Sequence, residues 1–137
     1  METAELRRRF ASGRVAHLAT VRPDGGPHVV PLVFALVGDT VYSAVDAKPK
    51  RSRDLQRLAN IRLDPRCALL VDHYEDDWRR LWWVRADGRG EVVDAVPQDH
   101  PGIRALAERF PQYRDEPPAG PLLVMTVERW SGWANTS

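Results

Sequence analysis

Residues 15–45 are written as short apolar runs broken by glycine and proline. The runs 15–21 and 28–37 flank Arg22-Pro23-Asp24-Gly25-Gly26-Pro27. Proline presets one turn dihedral and glycine takes a positive φ at little steric cost, so these segments predict a β-hairpin. Gly38-Asp39 then opens a third strand over 40–45. The second run is unusual: Val29, Pro31, Val33 and Ala35 fall on one face, and Val30, Leu32, Phe34 and Leu36 on the other. A half-exposed strand alternates apolar with polar, whereas this one is apolar on both sides. One face can fill a barrel interior. The other needs a helix, a second subunit or a planar cofactor against it.

Farther along, the pattern predicts a helix over 52–63, with Leu55, Leu58, Ala59 and Leu63 as its apolar stripe and Asp64-Pro65 as its end. A strand over 66–74 follows, then a hairpin of 81–86 and 90–93 turning at Asp87-Gly88. A helix over 101–110 carries Ile103, Leu106, Ala107 and Phe110. The proline-rich segment 111–121 reads as a loop, and 122–133 as a closing strand. At the N-terminus, Leu6 and Phe10 lie four apart on a short helix over 3–11, with Thr3 as its N-cap. The fold class is therefore mainly β: six to seven antiparallel strands with three short helices, an arrangement suited to a small barrel whose closure removes exposed edges.

At 137 residues the chain fits one domain, residues 1–137, large enough for a core without disulfides. Its net charge of +1 gives no overall basic field that would favour nucleic acid. Cys67, the only cysteine, sits in an apolar run and excludes an internal disulfide. The first nine residues lack a signal peptide's apolar core, and no apolar stretch approaches the roughly 20 residues of a membrane span. A cytoplasmic protein is expected.

Arginine dominates the basic residues, and the only lysines are Lys48 and Lys50. With Arg51 and Ser52 they stand before the N-terminus of the predicted helix, where free N–H groups and the helix dipole favour an anion. A solvated charge run is the alternative. Tryptophan falls in two groups, Trp78, Trp82, Trp83 and then Trp130, Trp133. Adjacent strand positions face opposite sides, so one of Trp82 and Trp83 fills the barrel while the other is free to border a ring system or a partner. Asp72, His73, Glu75, Asp76 and Asp77 are close in sequence, but a single histidine without a second ligand pair predicts no metal site. His17, His28 and His100 pair with no nucleophile, and neither a Gly-x-Ser-x-Gly elbow nor a nucleotide-binding glycine loop is present. Hydrolase and kinase chemistry are not supported.

The series Leu18-Ala19-Thr20-Val21-Arg22-Pro23-Asp24-Gly25-Gly26-Pro27-His28-Val29-Val30-Pro31-Leu32-Val33-Phe34 resembles the opening of the pyridoxamine-phosphate-oxidase-like split β-barrels. The resemblance continues through Lys50-Arg51-Ser52-Arg53-Asp54-Leu55, Asp64-Pro65-Arg66, Arg85-Ala86-Asp87-Gly88-Arg89-Gly90-Glu91-Val92 and Val127-Glu128-Arg129-Trp130-Ser131-Gly132-Trp133. Within this superfamily the chain is most similar to the branch that uses the deazaflavin coenzyme F-420. That resemblance implies a homodimer with the cofactor at the subunit interface. It implies a ring stacked near Val30, Pro31, Leu32 and Val33, with His28 beside it. It also implies a phosphate met by Lys48, Lys50, Arg51 and Ser52, and a site closed by the partner subunit, for which Trp78, Trp82 or Trp83, with Trp133, are the candidates.

The implied chemistry is hydride transfer to or from a small organic substrate, with the cofactor supplying the reactivity. His28 or Tyr74 is a candidate for assisting protonation. Pyridoxamine phosphate itself is not expected as substrate, because the chain is short and no arginines of this sequence can be matched to the family's substrate-phosphate arginines. The same fold with FMN is the first alternative; extra cations such as Arg53, Arg57 or Arg79 would favour the deazaflavin's anionic tail. The others are a non-catalytic carrier of a flavin, haem or tetrapyrrole, and a purely structural dimerisation domain.

Overall fold

The computed structural model describes residues 1–45, 55–118 and 120–135. Seven strands form a single antiparallel sheet: β1 (Val15–Val21), β2 (Pro27–Val33), β3 (Ala35–Val37), β4 (Thr40–Ala44), β5 (Arg66–His73), β6 (Trp82–Val93) and β7 (Leu122–Ala134). Four helices accompany them: α1 (Thr3–Ser12), α2 (Gln56–Leu63), α3 (Pro101–Arg109) and α4 (Pro111–Asp115). The strand order is β2-β1-β5-β6-β7-β4-β3. Its two end strands, β2 and β3, are separated in the chain by Phe34 alone. Consecutive Cα atoms lie only about 3.8 Å apart, so the ends must be brought together and the sheet must curl into a half-barrel.

The predicted single strand over 28–37 is thus two strands that break at Phe34. The break turns β3 away to pair with β4 (Ala35 opposite Tyr42), while β2 stays on β1 (Val33 opposite Val15). Phe34 is fully buried, 4.9 Å from the Phe10 ring. Arg109 at the end of α3 secures the junction. Its Nη1 donates to the Phe34 carbonyl at 3.1 Å and its Nη2 to the Gly13 carbonyl, with the guanidinium between the Phe34 and Phe110 rings. One side chain therefore joins α1, the strand break and α3.

Inward residues of the curled sheet make the main core: Leu18, Leu69, Val71, Val84, Ala86, Leu123 and Met125. Its two ends are plugged by helices. Leu6 of α1 lies against Gly132, which pairs with Val84 early in β6; Ile61 of α2 lies against Gly90 near the other end of β6. A second cluster of Ala35, Ala44, Ile103, Leu106, Tyr113 and Leu122 attaches α3 and α4 to the outside of β3, β4 and β7. Asp39, in the turn between β3 and β4, accepts from Arg7 of α1 (2.7 and 3.0 Å) and from the Trp130 indole (2.9 Å). These donors hold its carboxyl below the usual range, Arg7 contributing most.

The β1–β2 hairpin forms as predicted: Gly25 has φ of +88°, and the Asp24 side chain accepts from the Gly26 N–H at 2.8 Å. Further expectations are corrected. Asp87-Gly88 is no turn; β6 runs straight through it, and β7 shifts register there, so that Asp87 faces Arg129 while Gly88 faces Val127. Gly88 is needed because a Cβ would strike the Thr126 carbonyl oxygen, so the dipeptide marks a bulge rather than a hairpin. Pro111–Asp115 is a helical turn rather than loop, started by a proline that needs no N–H there. Thr3 is not the N-cap of α1; Glu2 holds that position without a side-chain bond.

The buried face of α2 is Leu58, Asn60 and Ile61, with Leu55, Ala59 and Leu63 exposed. Asn60 is drawn inward because its amide donates to the Thr20 hydroxyl at 3.1 Å inside the barrel mouth. That polar anchor sets the helix's rotation against what its leucines alone suggest.

Arg109→Met leaves two part-buried carbonyls without this donor and is expected to cost about 2 kcal/mol. Gly88→Val, which must push the backbones apart, is expected to cost about 3 kcal/mol. Urea unfolding midpoints at constant m-value check both.

Candidate functional site

Antiparallel register places the outward residues of neighbouring strands side by side. On the half of the sheet that α3 and α4 leave bare, Val29 and Pro31 of β2 stand beside Ala19 and His17 of β1. His17 and Ala19 in turn stand beside Leu70 and Ala68 of β5, and these beside Arg85 and Asp87 of β6. Asp72 faces Trp83, and Trp83 faces Trp133. Val29 is 60% exposed, Val15 46% and Trp133 41%. Among the described residues no helix covers this face. β2 is also an edge strand, which is where Pro27 and Pro31 can stand without losing ladder hydrogen bonds.

A cleft of about 290 Å³ opens on this face, lined by Leu70, Asp72, Tyr74, Trp83 and Arg85. The Arg85 guanidinium lies 5.7 Å from the Trp83 ring centre, while its Nε donates to Asp87 at 3.1 Å. Ser131, opposite Arg85 on β7, has a buried hydroxyl oxygen with no hydrogen-bond partner. Aromatic walls and a guanidinium with further N–H donors suit a planar ligand with polar edges.

At the barrel end plugged by α2 the character changes to cationic. His28 pairs with Thr20 across β1 and β2, so its side chain shares the inward face of β2 with Val30 and Leu32. Its Nδ1 is buried and, among the described residues, has no hydrogen-bond partner. Asn60 reaches the same Thr20, and Gln56 donates to Asn60 at 2.8 Å, which brings the first turns of α2 over the hairpin. Arg57 lies three residues before Asn60, on the neighbouring face of that helix. Arg22 donates to the carbonyl of Pro27, next to His28. The imidazole pKa is lowered, by burial first and then by Arg22 and Arg57. Among the described residues, the ring has a buried nitrogen without a partner and the charges that act on it, those of Arg22 and Arg57, are positive, a setting that favours an anion.

Of the expected site residues, Lys48, Lys50, Arg51 and Ser52 lie outside the described residues, as does Arg53. Pro31 is exposed, Val30 and Val33 half-buried, and Leu32 points into the core, so it offers a ligand only backbone. Trp83 and Trp82 do face opposite sides. Trp82 packs on the core with Arg9 over its ring, and only Trp83 reaches the cleft. Trp78 is 73% exposed and outside the cleft lining. Arg79 is held by Asp77, in the turn that precedes β6, at the barrel end away from Arg57. Cys67 is buried and its thiol is pushed up to about 12, mainly by burial, which makes it inert. No group of three potential metal ligands occurs among the described residues.

The sequence pattern did not reveal the grouping of Arg57 and Arg22 around His28, nor that of Asp72 and Arg85 around Trp83. The only available signal for the second was alternation along β6, which puts Arg85 on the same face as Trp83.

Residues 2–134 match the model of the family described as pyridoxamine 5'-phosphate oxidase. The chain belongs to that family. No curated protein matches the sequence. Among solved structures, a conserved hypothetical protein of Mycobacterium tuberculosis superposes with a TM-score of 0.75 at 24% identity, covering 98% of this chain and 86% of that one. An FAD-binding protein of Mesorhizobium loti gives 0.70 at 22% identity, covering 96% and 92%. The Vibrio cholerae heme storage protein HutZ gives 0.66 at 16%, covering 96% and 93%. At these identities the structural likeness is one of fold. Among the described residues, no helix of this family member is long and apolar enough to cross a membrane.

A lowered imidazole pKa means that the unfolded chain binds more protons below pH 6.5 than the folded one, so His28 makes folding less favourable as pH falls through that value. His28→Gln is therefore expected to gain stability relative to wild type at pH 5 compared with pH 7.5. Urea midpoints of both proteins at the two pH values measure it.

Proposed function

We propose that this protein is an oxidoreductase that holds a flavin-type cofactor and works as a homodimer, the bare sheet face of one copy closing the site of the other. The deazaflavin coenzyme F-420 is the first cofactor to test, and FMN the alternative. The observation that carries the reading is a cationic mouth with an orphaned imidazole nitrogen at one end of an apolar, uncovered strand. His28 stands at the start of β2 and Val33 at its end, five residues or about 17 Å away. A cofactor with an anionic tail and a flat ring needs these two environments at such a separation.

In this reading, His28, Arg22 and Arg57 hold the anionic tail, and the backbone of β2 from Val30 to Val33 supports the ring. Trp83, Arg85 and Trp133 offer the wall that a second copy presents. The bound cofactor would supply a hydride to, or accept one from, a small organic substrate. The residues' part is to orient the ring and exclude water. Tyr74 at the cleft edge is placed to give a proton; His28, facing the barrel mouth, is better placed to bind than to protonate. Cytoplasmic location remains part of the proposal.

Two structural relatives are described as FAD-binding and as heme storage, so carriage without turnover is the second reading. Family membership and the apolar face speak for either; turnover decides.

Titration of the protein with F-420 and with FMN, followed by tryptophan fluorescence, is the test. One cofactor is expected to bind, with affinity lowered about tenfold or more in Arg57→Gln, the loss of one charge-assisted contact. Reduced cofactor that stays bound without reducing any acceptor in a broad panel would favour the carrier. Light scattering is expected to report a dimer that Val29→Lys dissociates; a monomeric wild type would remove the shared site.

A further inference from the structure

We propose that His28 binds the cofactor's anionic group as an imidazolium, taking up a proton from solvent as the anion enters, so that the site selects phosphate-type dianions. The identity of the ligand rests on the cofactor reading above; the existence of the anion site does not.

The placement carries the argument. His28 is set by the β-ladder opposite Thr20, and Thr20 is anchored to α2 through Asn60, so the strand position of His28 is fixed beside the first turns of that helix. Nδ1 is buried and, among the described residues, has no hydrogen-bond partner. A buried ring nitrogen without a partner is costly, and a native protein keeps one where something else completes it. Among the described residues, the charged groups that act on His28 are Arg22 from the β1–β2 turn and Arg57 from α2, both positive. Its other neighbours along the anchor, Thr20, Asn60 and Gln56, are neutral. With the site empty, a third positive charge there is opposed, and the ring stays neutral. A dianion reverses the sign of the local field, and both ring nitrogens then become donors.

The consequence is linkage. Binding consumes up to one proton, so affinity falls up to about tenfold per pH unit over the interval between the free and bound titration midpoints. Below about pH 6 a phosphomonoester itself begins to lose its second charge, which limits the gain on the acid side. A phosphate group gains from the switch; riboflavin, which lacks the anion, does not.

The test follows the His28 ring proton by NMR from pH 5 to 8.5, assigned by its absence in His28→Gln, with no addition, with inorganic phosphate, with FMN and with riboflavin. The expected result is a midpoint raised by about one unit or more by phosphate and FMN but not by riboflavin. Arg57→Gln, which keeps the histidine, is expected to raise the free midpoint and to shrink the phosphate-induced shift. FMN bound by its fluorescence with the midpoint unmoved would overturn the proposal and leave the cofactor reading standing. A midpoint raised by inorganic phosphate, with neither FMN nor F-420 bound, would uphold the anion site and remove the cofactor reading. Equal shifts with riboflavin and FMN, or no shift with any probe, would overturn the proposal.

Discussion

The single-residue junction at Phe34 is the constraint on which the rest of the architecture depends. A seven-stranded antiparallel sheet whose end strands are one residue apart in the chain cannot lie flat. Its curl creates an interior that must be filled, and the inward residues of β1, β5, β6 and β7 fill it. The junction also takes the Phe34 carbonyl out of regular pairing, and Arg109, which donates to the Gly13 carbonyl after α1 as well, is the donor that compensates. Because a guanidinium between two phenyl rings can donate in two directions while its flat faces stay in apolar contact, one side chain serves three elements at once.

Closure has an asymmetric result. The outer surface of β3, β4 and β7 is covered by α3 and α4, whereas among the described residues no helix covers that of β2, β1, β5 and β6. The two environments of the candidate site arise from the same geometry. β2 is an edge strand, so its proline-bearing outer face stays open, and its first residues reach the barrel mouth, where α2 delivers a guanidinium. A flat apolar surface beside a cationic mouth results without any strand being added for the purpose.

The hydrophobic pattern made much of this legible. The hairpin at Asp24-Gly25-Gly26, the doubly apolar second strand, the opposite facing of Trp82 and Trp83 and the all-antiparallel class all follow from local rules. Dihedral preferences and a period of two act within a few residues and need no knowledge of distant neighbours. Errors arose where a distant neighbour overrides the local rule. Asp87-Gly88 has turn chemistry, yet β7 passes so close that the glycine is required for the approach itself. Leu55, Ala59 and Leu63 form an apolar stripe, yet Asn60 is buried because Thr20, 40 residues away in the chain, accepts its hydrogen bond.

The sequence by itself therefore determined the elements, the β class, a lone inert thiol and, through its resemblance, the family. Each is set by residue type and short-range spacing. The tertiary structure decided that 28–37 is two strands, that Leu32 and Trp82 face the core while Pro31 and Trp83 do not, and that Arg22 and Arg57 converge on His28. Those outcomes depend on which strands are adjacent once the sheet has curled. Register between distant segments is fixed by summed packing and polar pairing over the whole barrel, which no short stretch of sequence contains.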